Sequence, residues 1–302
     1  MLSSIHLEGF KGFRDTTIGP LRKVNLIVGG QNVGKTSLLE AVDMVLSGNP
    51  TKFRQNEGND WSRYLANTYQ VSTFRFIELS NSSREVRAIH GSDYLVPANH
   101  SRFGGGYVKG YQSINSNFTA AVPVSLYLPN QIELVQLFGQ LVLARKKRDL
   151  IQMLRQIEPR LESLDAVSPD GEQRIYAELT GIHQALPLPA LGHGFARLLY
   201  LFSTLLSTDA KLALIDEVEN GIHYSALPIL LQGIKNVAHD RDVQTIMTTH
   251  SMDCIKAASK VFEDSPDDFQ VIRLVRTADN IEADIIPADY VQAVLERDGE
   301  LR

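Results

Sequence analysis

The sequence predicts an α/β protein whose mixed, largely parallel sheet is flanked by helices. Short apolar, β-branched runs alternate with helix-like segments along its 302 residues, and this alternation is typical of parallel strands joined by helices. In the clearest case, the apolar run at residues 24–28 leads through a glycine-rich turn into apolar residues at helical spacing over residues 34–46. A strand, a turn and a helix are therefore expected at this point.

The rest of the chain continues the alternation. Further strands are expected at residues 71–79, 124–128, 174–179, 212–215, 243–247 and 270–275. Residues 133–164 form the longest helical stretch, with a break expected near Pro159. Their apolar positions keep no heptad, which argues against a coiled-coil arm. Residues 99–116 are rich in Gly, Ser and Asn, and we expect them to form a long loop.

Composition excludes some classes of function. The net charge of −5 argues against a chain whose whole surface binds nucleic acid. A basic run at residues 145–148 leaves a local patch possible, although a solvated helix face is the simpler interpretation. The apolar runs are far shorter than the roughly 20 residues of a membrane span. A single cysteine, Cys254, and an N-terminus without a signal-peptide pattern favour the cytoplasm.

A phosphate-binding motif follows the strand at residues 24–28. Residues 29–36 read Gly-Gly-Gln-Asn-Val-Gly-Lys-Thr and match G-x-x-x-x-G-K-[ST]. In such a loop the backbone N–H groups and the helix N-terminus face phosphate oxygens. We expect Lys35 to neutralise the β- and γ-phosphates and the Thr36 hydroxyl to bind Mg²⁺. The expected nucleotide-binding residues here are Gly29, Gly30, Gln31, Asn32, Val33, Gly34, Lys35, Thr36 and Ser37.

Phosphoryl transfer also needs a metal-binding carboxylate and a group that activates water. The apolar strand at residues 212–215 ends in Asp216 and Glu217. We expect Asp216 to hold the Mg²⁺ through water and Glu217 to act as the general base. The strand at residues 244–247 precedes Thr-Thr-His-Ser, which places His250 where it can face a γ-phosphate. A purely structural histidine is the alternative.

These three elements together resemble the ATPase head of ABC-type P-loop NTPases. Residues 5–13, 34–41 and 216–223 are similar to the opening strand, the P-loop continuation and the D-E-x-E-x-x-L-H segment of the SMC, RecF and OLD (overcoming lysogenization defect) branch. The resemblance implies one head domain over residues 1–302. It also implies an N-terminal antiparallel β portion and a helical insertion at residues 131–165.

The signature segment is the least regular part of the resemblance. Residues 188–199 are similar to the G-D-G-x-x-R-L variant of small OLD-like ATPases, and Gly192 and Gly194 are then expected to contact a nucleotide phosphate. His193 replaces the usual acidic residue, and a plain glycine turn before a core helix is the alternative. Gln31 stands where Asn is common, and no clear Q-loop residue can be assigned, with Gln131 and Gln136 as the two candidates.

The resemblance implies ATP and Mg²⁺ as cofactors and an ATP-dependent homodimer as the working form. Residues after His250 contain Asp267-Asp268 but no TOPRIM pattern, so a separate effector protein, a nuclease or a toxin, is expected as the partner, as in OLD-like anti-phage systems. The alternatives are a RecF-like or SMC-like clamp in DNA repair and a non-catalytic, ATP-bound scaffold. Nucleic-acid binding stays open, and no membrane association is expected.

Overall fold

The computed structural model describes residues 1–47, 76–81, 86–90, 121–124, 129–207 and 209–295, and within these ranges it contains thirteen strands and seven α-helices. The strands are β1 Leu2–Phe10, β2 Phe13–Ile18, β3 Val24–Val28, β4 Phe76–Asn81, β5 Val86–His90, β6 Ala121–Val124, β7 Leu161–Val167, β8 Arg174–Leu179, β9 Leu186–Pro187, β10 Leu212–Ile215, β11 Gln244–Thr248, β12 Phe269–Arg276 and β13 Ile281–Pro287. The helices are α1 Lys35–Ser47, α2 Gln131–Leu143, α3 Lys147–Leu154, α4 His193–Ser207, α5 Leu227–Asp240, α6 Met252–Val261 and α7 Ala288–Leu295.

A six-stranded sheet forms the centre of the molecule. Its order is β13-β12-β3-β11-β10-β6, and every pair is parallel except β12 with β13. Strands β3, β10 and β11 are buried along their whole length, as expected for parallel strands covered on both faces. The carboxyl ends of β3, β11 and β10 therefore lie side by side at one edge.

Two hydrophobic cores flank this sheet. Helix α1 packs between it and an antiparallel sheet of order β2-β1-β4-β5, and the core there includes Leu7, Phe13 and Leu38. On the opposite face, helices α2 to α5 and the small sheet β7-β8-β9 enclose a larger core that includes Phe138 and Phe202. The predicted fold class, a mixed sheet flanked by helices with an N-terminal antiparallel portion, is confirmed.

A buried glutamine joins two of the sheets. Gln244 begins β11 and is 1% exposed. Its side-chain amide accepts a hydrogen bond from the Leu2 N–H at 2.7 Å and donates to the Leu2 carbonyl at 2.9 Å. It also donates to the Arg22 carbonyl at 2.8 Å. The amide thus pairs with β1 as a backbone peptide group does in an antiparallel ladder.

The helical interpretation of residues 133–164 was wrong at its end. Helix α2 stops at Leu143 and α3 at Leu154, the chain turns at Arg145 with φ 60°, and β7 begins at Leu161. A register shift between Leu161 and Ser163 places two buried leucines, Leu161 and Leu164, three residues apart. Because buried residues of a regular strand are two apart, this bulge imitates helical spacing. The predicted insertion at residues 131–165 therefore ends in a strand.

The other predicted elements agree with the structure where it describes them. Strands β3, β8 and β10 have the predicted bounds, and β11 and β12 differ from the prediction by one residue at each end. The predicted strand at residues 71–79 is represented by β4 and that at residues 124–128 by β6, while residues 71–75 and 125–128 lie outside the described residues. The predicted loop at residues 99–116 also lies outside them. Strand β13 was not predicted.

The basic run at residues 145–148 lies at the junction of α2 and α3. Lys147 forms an ion pair with Asp165 at 2.5 Å, and Lys146 forms one with Asp149 at 3.5 Å. Two of the four positive charges thus have acidic neighbours, which reduces the field this run presents to a polyanion.

Candidate functional site

The loop between β3 and α1 has the geometry of an anion-binding turn. Gly29, Asn32 and Gly34 have positive φ angles of 142°, 57° and 95°, and such conformations let successive N–H groups converge on one concavity. At Gly29 a Cβ atom would stand 2.5 Å from the Leu274 carbonyl oxygen of β12. Because that oxygen belongs to a strand backbone, only glycine fits there.

The remaining loop residues divide by exposure. Gly30, Gln31 and Asn32 are exposed, Val33 is buried, and Ser37 is half-buried in the first turn of α1. The Arg276 side chain donates a hydrogen bond at 2.9 Å to the Asn32 carbonyl. This bond anchors the loop to the end of β12.

Lys35 lies inside the loop. It is 4% exposed, and its Nζ donates to the carbonyl oxygens of Gly29 and Gly30 at 2.7 Å each. Burial lowers the pKa of Lys35 to about 8, against the opposing effect of Asp216, Glu217 and Glu219. The loop therefore holds one cation that faces three carboxylates.

Asp216 connects the ends of the three central strands. It follows β10 and is 6% exposed. It accepts hydrogen bonds from the Thr36 hydroxyl of α1 at 2.9 Å and the Thr248 hydroxyl of β11 at 2.5 Å. A carboxylate beside a hydroxyl is an oxygen donor set of the kind Mg²⁺ prefers. Within the described residues there is no cluster of three or more His, Cys, Asp or Glu that could hold a metal, and Mg²⁺ bound with a nucleotide needs only one or two protein ligands.

Glu217 occupies a strained position. Its φ is 45°, which is uncommon for a residue with a long side chain. Its N–H donates to the Thr248 hydroxyl at 2.8 Å. Burial and the neighbouring Asp216 raise the pKa of Glu217, while His250 and Lys35 oppose the rise. A carboxylate with a raised pKa is suited to accept a proton near neutral pH.

His250 lies just after β11 and before α6. Its Nε2 is 3.9 Å from Glu217 Oε1, and 40% of its side chain is exposed. Its backbone N–H donates at 2.8 Å to Oε1 of Glu219. The imidazole therefore stands beside the Glu217 carboxylate at the open side of the cluster.

The signature segment forms the N-terminus of α4 on an exposed turn. Gly192 has φ 90° and ψ 161°, and it immediately precedes α4. At Gly194 a Cβ atom would stand 3.2 Å from the Gly221 carbonyl oxygen, in the turn that follows Glu217. One turn further, Arg197 is buried, and burial lowers its pKa against the effect of Tyr200, Asp216 and Glu217.

The two Q-loop candidates have separate surroundings. The Gln131 side chain donates a hydrogen bond to the Gln173 carbonyl at 2.9 Å. This contact lies outside the cluster of side chains formed by Lys35, Thr36, Asp216, Glu217 and His250. Gln136 is exposed on α2. The structure therefore assigns neither as a ligand of the site.

A family profile described as "AAA domain, putative AbiEii toxin, Type IV TA system" matches residues 80–253, more than half of the chain. The chain belongs to this AAA-domain family. A second profile, described as an AAA domain, matches residues 4–112. The match to the first family covers Asp216, Glu217 and His250, and the second covers the P-loop.

One sequence relative and two solved structures are consistent with this family assignment. An "ATP/GTP phosphatase" from Helicobacter pylori is 24% identical over an alignment of 336 positions, which covers 87% of this chain and 89% of the relative. An SmcHead bound to the C-winged helix domain of ScpA superposes with a TM-score of 0.60 at 14% identity, covering 97% of this chain and 99% of that one. The SMC head domain from Thermotoga maritima gives a TM-score of 0.54 at 16% identity, covering 95% and 98%. The protein is thus an AAA-family P-loop ATPase with the fold of an SMC head.

The structure brings most of the residues selected from the sequence into one place. Lys35, Thr36, Asp216, Glu217 and His250 meet at the carboxyl ends of β3, β10 and β11. Gly192 lies on the separate exposed turn described above, and Gly194 is half-buried in the first turn of α4. Sequence reasoning did not select two residues of this site, Thr248 and Glu219. The Thr248 hydroxyl forms hydrogen bonds with both Asp216 and Glu217, and the Glu219 carboxylate accepts one from the His250 N–H. None of the described helices is long and apolar enough to cross a membrane.

Proposed function

We propose that this AAA-family ATPase works as an ATP-driven dimerisation switch. In this proposal the P-loop binds the nucleotide, Glu217 removes a proton from the attacking water, and His250 faces the γ-phosphate. The observation that carries it is the meeting of Lys35, Asp216, Glu217 and His250 at the ends of three adjacent strands.

Each side chain of the cluster has a role in the proposed reaction. Lys35 supplies positive charge to the phosphates, and the N–H groups at the start of α1 add to it. The raised pKa of Glu217 suits a general base. Thr36 and Asp216, which are hydrogen-bonded to each other, would hold Mg²⁺, and the ion would neutralise developing phosphate charge. Thr248 fixes both carboxylate-bearing residues through one hydroxyl.

The turn at residues 192–194, called the signature turn below, completes the nucleotide-binding site of a second copy of the chain. Gly192 is exposed, and apart from its chain neighbours none of the described residues has an atom within 4 Å of the position that a Cβ would take, so its backbone is accessible to a nucleotide phosphate on a partner protomer. Gly194 approaches the Gly221 carbonyl, four residues after Glu217. Contact at the signature can therefore reach the base through a short turn, which couples dimer closure to hydrolysis.

We further propose that the switch controls a separate effector protein, in the manner of OLD-like systems. One support is the D-E-V-E-N-G-I-H segment at residues 216–223, which is similar to that of OLD-like ATPases. Another is the family to which the chain belongs, which is described as a putative toxin of a type IV toxin–antitoxin system. The experiment is to purify the chain with its genomic neighbours. Effector control predicts that a neighbour co-purifies in one nucleotide state and separates in the other.

The shared site is tested by mixing two defective proteins. Lys35→Ala damages the P-loop, and Gly194→Asp damages the signature, so each homodimer is inactive. Random mixing makes about half of the dimers mixed, each with one intact composite site, so roughly a quarter of the wild-type turnover returns if the sites act independently. Glu217→Gln in ATP should accumulate as dimers on a sizing column.

A matched mixture provides the control. Lys35→Ala mixed with Glu217→Gln places both lesions on the same side of the composite site, so no intact site forms and no turnover returns. Equal recovery in both mixtures, or no recovery together with a Glu217→Gln monomer in saturating ATP, would contradict the shared site. An ATPase that completes its site within one chain would then be the correct description.

A further inference from the structure

We infer that Glu219 is a positioning residue that holds the His250 backbone so that the imidazole stands beside Glu217. This inference rests on the proposed function, because it assigns a second glutamate to the same site. Glu219 follows Glu217 by two residues in the turn after β10, whereas His250 lies beyond β11.

The contact between the two residues is direct. Oε1 of Glu219 accepts a hydrogen bond from the His250 N–H at 2.8 Å. This N–H lies between the last residue of β11 and the N-cap of α6, Ser251, so neither the strand ladder nor the helix supplies its acceptor. This N–H is partly buried, and because a backbone N–H shielded from water needs a partner, the carboxylate helps to fix where the backbone of His250 lies.

The second oxygen of the Glu219 carboxylate is in an energetically unfavourable environment. Oε2 of Glu219 is buried and has no hydrogen-bond partner among the described residues. Glu219 also raises the pKa of both Lys35 and Glu217, so its charge lies close to theirs. An amide or an alcohol could hold the His250 N–H without placing a third negative charge here. Groups that persist despite such a cost are concentrated at functional sites.

The neighbouring backbone has anchors of its own. The Thr249 N–H donates to the Ile27 carbonyl at 3.1 Å, and the Ser251 N–H donates to the Thr249 hydroxyl at 3.0 Å. Loss of the Glu219 side chain would therefore release His250 while β11 and α6 stay in place. The expected defect is local, in the position of the ring, and the fold is retained.

Three substitutions separate the hydrogen bond from the charge. Glu219→Ala removes both, Glu219→Gln keeps an acceptor oxygen without charge, and Glu219→Asp keeps the charge but is one methylene too short to reach. If Glu219 positions His250, Ala and Asp lower turnover about tenfold, the scale of one charge-assisted hydrogen bond. Gln stays within about threefold of wild type, and ATP affinity changes by less than about twofold in all three.

A double-mutant cycle tests whether Glu219 acts through His250. When His250→Ala is already present, Glu219→Ala should cause no further loss of turnover, because the group it positions is gone. Losses that multiply would show that Glu219 acts separately. An Asp variant that works while the Gln variant fails would assign the effect to charge, and either result would overturn the inference.

Amide exchange tests the contact without relying on turnover. Hydrogen exchange at the His250 N–H should accelerate at least about tenfold in Glu219→Ala and change little in Glu219→Gln. The control is Glu133→Ala, which removes the carboxylate that accepts a similar bond from the Asn130 N–H at the start of α2 and should leave His250 unchanged. Unchanged exchange in Glu219→Ala would refute the positioning role. A wild-type protein without ATPase activity would refute the proposed function and leave the exchange result to stand by itself.

Discussion

The cluster at the strand ends and the signature turn are built in opposite ways. In the cluster, Lys35 and Asp216 are buried, and their polar atoms bond to groups of the same chain. The signature turn is exposed at Gly192 and His193, and Gly194 approaches the rest of the chain at the Gly221 carbonyl. The cluster is fixed by contacts within the chain, and the turn by its own backbone conformation.

The protein thus positions phosphate-binding groups in two ways, by side-chain contacts in the cluster and by backbone conformation in the turn. Inside the cluster, geometry depends on contacts between side chains at the start of α1 and at the ends of β10 and β11, so single substitutions there should change chemistry. On the turn, geometry depends on φ and ψ at glycine, so substitutions there should change stability or coupling first. The following predictions test that division, beginning with the largest expected effect.

Glu217→Gln should lower ATP turnover by about 10²–10⁴-fold, because the amide keeps the shape of the side chain and removes the base. Steady-state hydrolysis with matched nucleotide-binding measurements checks this. Glu282→Gln is the control, since Glu282 is an exposed carboxylate on β13. Turnover equal to wild type would exclude Glu217 as the base and would weaken the distinction between cluster and turn.

ATP affinity should fall as pH rises above about 8, by up to about tenfold per pH unit. The pKa of Lys35 is about 8 in the free protein, and bound phosphates raise it, so binding above that pH takes up a proton. Below it, Lys35 is already charged and affinity should be flat. Calorimetry in buffers of different ionisation enthalpy measures the proton uptake. Equal heats in all buffers at pH 9 would contradict the assignment.

The two signature glycines should respond differently to alanine. Gly192→Ala places a Cβ in a backbone region that is almost restricted to glycine, at a cost of about 1–3 kcal/mol in the free energy of unfolding. Gly194 lies in the first turn of α4, where alanine's higher helix propensity, worth up to about 1 kcal/mol, offsets the approach to Gly221. Denaturant unfolding of both variants gives the comparison. Equal destabilisation would show that backbone conformation does not define this turn.

The smallest effect is expected at Cys254, whose alkylation at pH 8 should stay near zero while the protein is folded. Burial raises the pKa of this thiol to about 12, and the side chain is buried in α6, the helix that follows His250. Labelling should become complete in denaturant. Mass spectrometry of the labelled protein measures it, and rapid labelling of the native state would show that this side of the cluster opens.

Sequence reasoning located the chemistry better than the contacts that organise it. The P-loop, Asp216 and Glu217 are local patterns, each complete within a few residues. Thr248 and Glu219 act across the chain, with partners 31 or 32 residues away. They meet their partners because β10 and β11 pair in parallel with Ile215 opposite Met247. A linear pattern does not contain that register.

The missed strand β7 illustrates a different limit. Its buried leucines, Leu161 and Leu164, have helical spacing because of the bulge between Leu161 and Ser163. Periodicity assigns such a segment to a helix. The bulge depends on pairing with β8, which is a tertiary contact. Propensity alone therefore could not correct the assignment.

The amide of Gln244 also connects two sheets of the molecule. It pairs with Leu2 at the start of β1 and begins β11, the strand that leads to His250. A partner protein that binds along β1 would therefore contact a strand that is hydrogen-bonded to the first residue of the strand ending at the candidate site.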